Sequence, residues 1–245
     1  IFELLELNLY EHARTTNFAD LTLNSIRPII QQVLVALSRL KSMGIIHADV
    51  KPENIMLVDH KSQPFRVKII DLGSARDKST RSNFYIQSRF YRAPETILSI
   101  RYSEAIDMWS LGCVMAELLL KWPLYPGRSE YDQIRYNSQV LSLLPVFFHS
   151  VLVHFSRSDF QIKPEFSAPL GTPATWHLKT LAEMRSTVSV YIQETETRKF
   201  IFSSLDEISN VVDISLPEDT EETQECKRID KEAFVSLVKR MLTID

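Results

Sequence analysis

The chain has 245 residues, 44% of them hydrophobic and 24% charged, with a formal net charge of −3. That length and apolar fraction are enough for one sizeable core, and exclude a low-complexity or fully disordered chain. The slightly acidic balance argues against direct, nonspecific binding to nucleic acid. The two cysteines, Cys113 and Cys226, stand far apart and form no metal-ligand spacing, which points to a reduced, intracellular setting rather than a disulfide framework. No signal peptide opens the sequence. Ile1 is not an initiator methionine, and Glu3 and Glu6 interrupt the first apolar run.

In chain order, Ile1 to Tyr10 alternates apolar and acidic residues and reads as the end of a strand leading into a connector. Residues 25–43 place Ile26, Ile29, Ile30, Val33, Leu34, Leu37 and Leu40 at helical spacing, so one helix face is buried. Asn24 or Ser25 is the expected cap, Pro28 falls in the first turn, and Gly44 suits the left-handed residue that ends a helix.

Just beyond lies His47-Ala48-Asp49-Val50-Lys51-Pro52-Glu53-Asn54. Two apolar runs follow, Ile55–Val58 and Phe65–Ile70, around a polar turn. This is the pattern of a hairpin, whose two ends bring Asn54 and Asp71 together. An aspartate can accept the proton of an attacking hydroxyl, a lysine two residues on can neutralise a phosphoryl group, and an asparagine oxygen with a second aspartate suits magnesium. Asp71 to Glu95 reads as one long loop rich in Arg, Ser and Tyr. Residues 104–121 are apolar almost all round, the signature of a central helix, with Trp122-Pro123 as its stop. Ser129-x-x-Asp132 resembles a capping box for another helix. Residues 139–155 are strongly apolar but broken by Pro145, His149 and His154. As a membrane span the run is short and interrupted, and it reads instead as a buried or misassembled segment. Residues 217–225 carry five acids and read as a solvated loop; Ile229 to Leu242 regains helical periodicity, with Asp230 as its cap.

Four motifs now stand in order: His47 to Asn54, Asp71-Leu72-Gly73, Ala93-Pro94-Glu95 and Asp107-Met108-Trp109-Ser110-Leu111-Gly112. They resemble the catalytic loop, magnesium loop, end of the activation segment and central helix of eukaryotic protein kinases. Lys51 and Pro52 resemble the serine/threonine type. Ala48 in place of the usual arginine, the octet Tyr85 to Arg92 and Glu130 to Tyr136 resemble the homeodomain-interacting protein kinases, with the dual-specificity tyrosine-regulated kinases as near relatives.

The resemblance implies a mainly α fold with a small β-hairpin: the large, C-terminal lobe of a protein kinase domain over residues 1–245, with only the last strand and hinge of the small lobe. It implies an ATP-dependent, magnesium-dependent serine/threonine protein kinase. Asp49 is the catalytic base, Lys51 steadies the γ-phosphate, and Asn54 and Asp71 hold Mg2+. Phe2, Glu3 and Leu5 form the hinge, Asn8 lies near the ribose, Met56 is the floor under the base, and Glu53 joins the nucleotide-binding set. His47 becomes a packed residue with Asp107 bracing the backbone beneath it. Tyr85 is the tyrosine phosphorylated during maturation, with Arg89 and Arg92 able to pair with its phosphate. Protein substrates, among them transcription regulators, and a nuclear or cytoplasmic setting are implied, without nucleic-acid or membrane binding; the oligomeric state is left open.

The sequence has five glycines, no Gly-x-Gly-x-x-Gly and no Val-Ala-Ile-Lys strand. A fragment whose small lobe is missing, and which is inactive by itself or acts only as a binding module, is therefore the alternative expectation.

Overall fold

The computed structural model describes residues 3–79, 85–99, 101–141, 163–164, 176–177, 196–211 and 219–243. Its frame is mainly helical. Helix α1 spans Leu9–Thr15, α2 Leu23–Ser42, α3 Pro94–Ile97, α4 Ala105–Leu120, α5 Glu130–Leu141, α6 Ile208–Val211 and α7 Glu221–Met241. Short antiparallel ladders join β1 (Ile45–Ile46) to β4 (Arg76–Asp77), and β2 (Ile55–Leu57) to β3 (Val67–Ile69). A further two-residue pair joins β5 (Lys163–Pro164) to β6 (Trp176–His177).

α4 is the centre. All its residues except Ala105 and Met108 are buried, as a helix without a polar face requires. It packs against α2, which offers Ile26, Ile29, Ile30, Val33 and Leu37, and against α7, which offers Val235, Val238 and Met241. Gly112 sets the closeness of that second contact: a Cβ there would lie 2.9 Å from Leu242 Cδ2. Lys121, at φ 57°, takes the left-handed cap of α4.

The apolar helix face over 25–43 and the hairpin are found where the sequence places them. The start of α2 is not. Thr22 is the cap, in a reciprocal box with Ser25, whose Oγ accepts from the Thr22 N–H at 2.8 Å. The helix therefore begins at Leu23, and Pro28 sits inside it rather than in the first turn. The bond that Pro28 cannot donate is the one to the Asn24 carbonyl, and Asn24 is exposed to water. Gly44 does adopt φ +73°, and its carbonyl accepts from the Lys78 N–H at 2.9 Å.

Other expectations need correcting. The segment before Tyr10 is not a strand end leading to a plain connector. Residues 6 and 7 bond Leu57 (Glu6 N–H to Leu57 O, 3.0 Å; Leu57 N–H to Leu7 O, 2.8 Å), and Asn8 then caps α1 by accepting from the Glu11 N–H at 2.8 Å. The stretch 71–95 is not one loop. It contains 3-10 turns at Leu72–Ser74 and Arg89–Tyr91, strand β4 and the start of α3. Acids expected in a solvated loop open α7 instead: Thr220 caps it, and Glu221 and Glu222 fill its first turn, where negative charge meets the positive end of the helix dipole. Asp230 lies mid-helix and pairs with Arg27 at 3.0 Å, so it caps nothing. Ser129 caps α5 through the Asp132 N–H at 3.0 Å, while the Asp132 carboxylate turns to Arg135. Both Cys113 and Cys226 are free thiols. Among the described residues no helix is long and apolar enough to cross a membrane; of the apolar stretch 139–155, residues 139–141 end α5 and the rest lies outside the described residues.

Candidate active site

The two ladders put two loops at one place. Residues 47–51 leave β1 and return through a 3-10 turn, Pro52–Asn54, into β2; Asp71 follows β3 and precedes β4. The hairpin register Ile55↔Ile69 is extended by a 2.9 Å bond from the Ile70 N–H to the Asn54 carbonyl, so the hairpin ends carrying Asn54 and Asp71 are side by side.

The first loop rests on α4. Asp107, in its first turn, accepts from the His47 N–H at 2.7 Å and from the Ala48 N–H at 2.8 Å. Burial pushes its carboxyl above the ordinary range, and those two N–H groups pull it back. His47 is fully buried, and its Nε2 lies 3.0 Å from the Ile70 carbonyl, tying the two loops together. Ala48 holds φ +62°, a left-handed conformation that disfavours any residue with a Cβ. Its carbonyl accepts from the Gln87 N–H at 3.0 Å. The brace beneath His47 is thus present, and it extends to Ala48.

At the surface of this loop, three donors converge on Asp49. Lys51 Nζ approaches Oδ2 at 2.8 Å, Asn54 Nδ2 donates to Oδ2 at 3.1 Å, and the Ser88 hydroxyl donates to Oδ1 at 2.7 Å. Lys51 also reaches Ser88 Oγ at 3.1 Å, and Asn54 Nδ2 reaches the Asp49 carbonyl at 2.8 Å. Asn54 is buried and uses its donor nitrogen on Asp49, which leaves its carbonyl oxygen as the ligand atom on offer. Asp71 is exposed, at φ +64°, with Oδ1 accepting from the Gly73 N–H at 3.0 Å. Two hard oxygens of an amide and a carboxylate fit the donor preference of magnesium.

Of the other residues singled out by sequence, Phe2 lies outside the described residues. Glu3 pairs with Lys68, and Leu5 is half-buried. Met56 is half-buried and its backbone bridges Asn8. Glu53 is exposed. It lines a groove of about 1060 Å³ with Tyr10, Ser88, Tyr91, Glu117 and Trp122. Within that groove the Tyr91 hydroxyl donates to Glu117 Oε2 at 2.7 Å, and burial, reinforced by the Glu53 charge, pushes the Glu117 carboxyl up to about 7.

Tyr85 is 71% exposed, and the Arg92 guanidinium lies 4.7 Å from its ring centroid. Arg92 itself is buried and engaged, by Glu130 at 2.9 Å and by the Gln87 carbonyl at 2.8 Å, while Arg89 donates to the Arg128 carbonyl at 2.8 Å. Sequence reasoning assigned no role to Ser88 or Gln87. Gln87 is a buried hub at φ +65°: its Nε2 reaches the Ile106 carbonyl (2.9 Å) and Ser110 Oγ (2.8 Å), and its Oε1 accepts from the Ala93 N–H (3.0 Å) and the Thr96 hydroxyl (2.8 Å). The only available signal was their place inside the octet that carries the resemblance.

Residues 1–245 match the protein kinase domain family. The chain is 48% identical over 247 residues to homeodomain-interacting protein kinase 1 of Caenorhabditis elegans, covering all of this chain and 29% of that protein. It is 49% identical to homeodomain-interacting protein kinase 1 of Mus musculus (all of this chain, 20% of that protein). It is 46% identical over 254 residues to homeodomain-interacting protein kinase 4 of Homo sapiens (99% of this chain, 39% of that protein). The chain thus spans between a fifth and two fifths of the length of these relatives. It belongs to the protein kinase family and, within it, to the homeodomain-interacting protein kinases.

Proposed function

We propose that these residues form the large-lobe half of a serine/threonine protein kinase site, which transfers a phosphoryl group from Mg-ATP to a protein hydroxyl. The observation that carries this reading is the convergence of Lys51, Asn54 and Ser88 on the Asp49 carboxylate, beside the hairpin end that bears Asp71. A hydroxyl replacing Ser88 or Lys51 at Asp49 would donate to the same oxygen and be oriented for attack, with its proton passing to the carboxylate. Lys51, released towards the transferred group, would neutralise its charge. Asn54 and Asp71 would hold magnesium, which supplies charge neutralisation on phosphate oxygens when bound. Glu3, Leu5, Asn8 and Met56, with Phe2, would receive the nucleotide, and Glu53 would border the cleft on the groove side.

Tyr85 is a maturation phosphosite in this reading. Its side chain is 71% exposed, and Arg92, against its ring, would supply a cation to the phosphate. Protein substrates follow from the family, and the relatives' name, homeodomain-interacting, directs attention to transcription regulators and so to a nuclear as well as cytoplasmic setting.

The test is phosphate transfer to a generic basic substrate. In a protein that also carries a glycine-rich loop and its lysine, Asp49→Asn should lower turnover by at least ~100-fold, the range of a lost general base. Unchanged turnover would overturn the assignment. A second reading, binding without turnover, rests on the 245 residues having no Gly-x-Gly-x-x-Gly. It expects negligible transfer from a protein made of these residues alone, and robust transfer that disappears with Asp49→Asn would defeat it.

A further inference from the structure

A second cluster of chemically capable side chains lies at the other end of the hairpin. We infer that His12, Asp20 and His60 form a binding site for a borderline divalent metal of the zinc class. One ligand atom from each residue lies within 4.8 Å of the others. His12 Nε2 stands 2.7 Å from Asp20 Oδ2, and His60 Nε2 stands 3.6 Å from the same oxygen. The rings of the two histidines meet edge to face, with centroids 4.6 Å apart.

The surroundings are those of a metal centre. The Thr16 hydroxyl donates to Asp20 Oδ1 at 2.9 Å, which anchors the carboxylate and leaves Oδ2 to face both imidazoles. Phe65 packs edge-on against both rings, at 6.2 Å from His12 and 5.0 Å from His60. A hydrogen bond to the carboxylate and an apolar shell are the usual supports of a metal site.

A plain hydrogen-bonded histidine pair accounts for less of this. One proton between His12 and Asp20 satisfies that contact. It leaves His60 Nε2, at 3.6 Å, too far from the shared oxygen for a hydrogen bond. Zinc bonds of about 2.0–2.2 Å in tetrahedral geometry set ligand atoms about 3.3–3.6 Å apart. The two Asp20 contacts, at 2.7 and 3.6 Å, lie close to that spacing, and the two imidazole nitrogens are within 4.8 Å of each other, so the three groups stand near enough to close on one ion. Two imidazoles and one carboxylate select zinc, or the late transition metals, over magnesium and calcium, which prefer oxygen. Three protein ligands leave a fourth position for water. Asp20 and His60 side chains remain about a third exposed, which gives the ion a way in.

The ligands come from α1, from the α1–α2 turn and from the turn of the hairpin whose far end carries Asn54 and Asp71. A bound ion would pin these three segments together. The site is independent of the kinase chemistry and needs none of its residues.

Titration of the metal-stripped protein with Zn2+ against a chromophoric chelator tests this, with Co2+ as a spectroscopic substitute. The expected result is one equivalent bound, weakened at least ~10-fold by His12→Gln or His60→Gln. Zn2+ should also raise the thermal midpoint of the parent protein but not of the variants. Co2+ should show tetrahedral visible bands without thiolate charge transfer, since no cysteine takes part. His12 is buried and its variant can misfold; His60 is more exposed, so His60→Gln decides the matter in that case. Equal stoichiometry and affinity in parent and His60→Gln protein, thiolate bands with Co2+, or no binding at all would overturn the inference.

Discussion

Replacing Asp107 with asparagine removes one carboxylate oxygen while keeping size and shape. In the native protein both oxygens are used, by the N–H groups of His47 at 2.7 Å and Ala48 at 2.8 Å, and the side chain is buried. An amide offers one acceptor and one NH2, so one backbone N–H must face another donor. Losing a charge-assisted bond costs about 1.5–3 kcal/mol, and an unmet buried donor about 1–3 kcal/mol, partly the same loss counted twice. The loop relaxes only in part, because Ala48 is held at φ +62°, worth about 1–2 kcal/mol of strain that those bonds help to sustain. A destabilisation of about 2–4 kcal/mol is expected, read as a lower urea midpoint with unchanged slope. Turnover of an otherwise complete kinase should also fall, because Asp49 is one residue beyond the braced pair. Glu104→Gln is the control. It lies at the same end of α4, where its carboxylate meets its own backbone N–H and the lysines 41 and 78, both largely exposed, so it should cost about 1 kcal/mol or less. A midpoint for Asp107→Asn within about 0.5 kcal/mol of the parent, with full turnover, would refute the reasoning.

Glu117 gives a pH signature. Its carboxyl is held at about 7 in the folded protein against an ordinary 4.5, so its stabilising contribution is complete below about pH 4.5 and is lost as pH rises through about 7. That loss is roughly 3 kcal/mol at one pH unit per 1.4 kcal/mol. Denaturation across pH 4.5–8 should show the decline, and Glu117→Gln should flatten it; an unchanged slope in the variant would exclude Glu117 as its source. Gln87→Leu should destabilise by about 2–4 kcal/mol in chemical denaturation, because it strands the buried Ala93 N–H and removes one of two partners from the Thr96 and Ser110 hydroxyls, which keep the Ala93 and Tyr91 carbonyls; a cost below 1 kcal/mol would show that water or rearrangement replaces the hub. Native protein should react with a maleimide at one cysteine only. Cys226 is exposed, whereas Cys113 is buried and its thiol is pushed well up by that burial; rapid labelling of both would mean that α4 opens.

What the sequence makes legible here is what repeats along it. The one-sided stripe of α2 and the all-round apolar run of α4 carry periods long enough to read, and the structure places α4 within a residue of the expected ends. Two-residue strands carry no period, so β1 and β4 pass for loop, although their pairing helps bring the loops that carry Asp49 and Asp71 to one place. The start of α7 is hidden for a different reason. A cluster of acids reads as a solvated loop unless the Thr220 cap and the helix dipole are weighed against it. In the site, the residues given roles are those inside short motifs. Ser88 acts across 39 positions on Asp49, and Gln87 across 23 on Ser110. No local pattern reports such pairings, and none reports His12, Asp20 and His60, which three separate segments bring together.

Ala48 shows how these pieces fit. An arginine at that position would offer a cation to a phosphate on the following segment; alanine cannot. The structure ties the two segments by other means. The Ala48 carbonyl accepts from the Gln87 N–H, the Gln87 carbonyl accepts from Arg92, and the neighbouring Ser88 hydroxyl bonds Asp49 directly. Arg92 is committed to Gln87, to Glu130 and to the Tyr85 ring, so it serves as a strut even without a phosphate. Phosphate added to Tyr85 would therefore reinforce a contact already made rather than create the alignment. The alignment itself depends on neutral, buried hydrogen bonds around Gln87, which salt screens little. Activity dependent on this register should accordingly respond weakly to ionic strength and strongly to the loss of one amide at Gln87. The reverse pattern would mean that the arginines, and not the amide, hold the two loops in register.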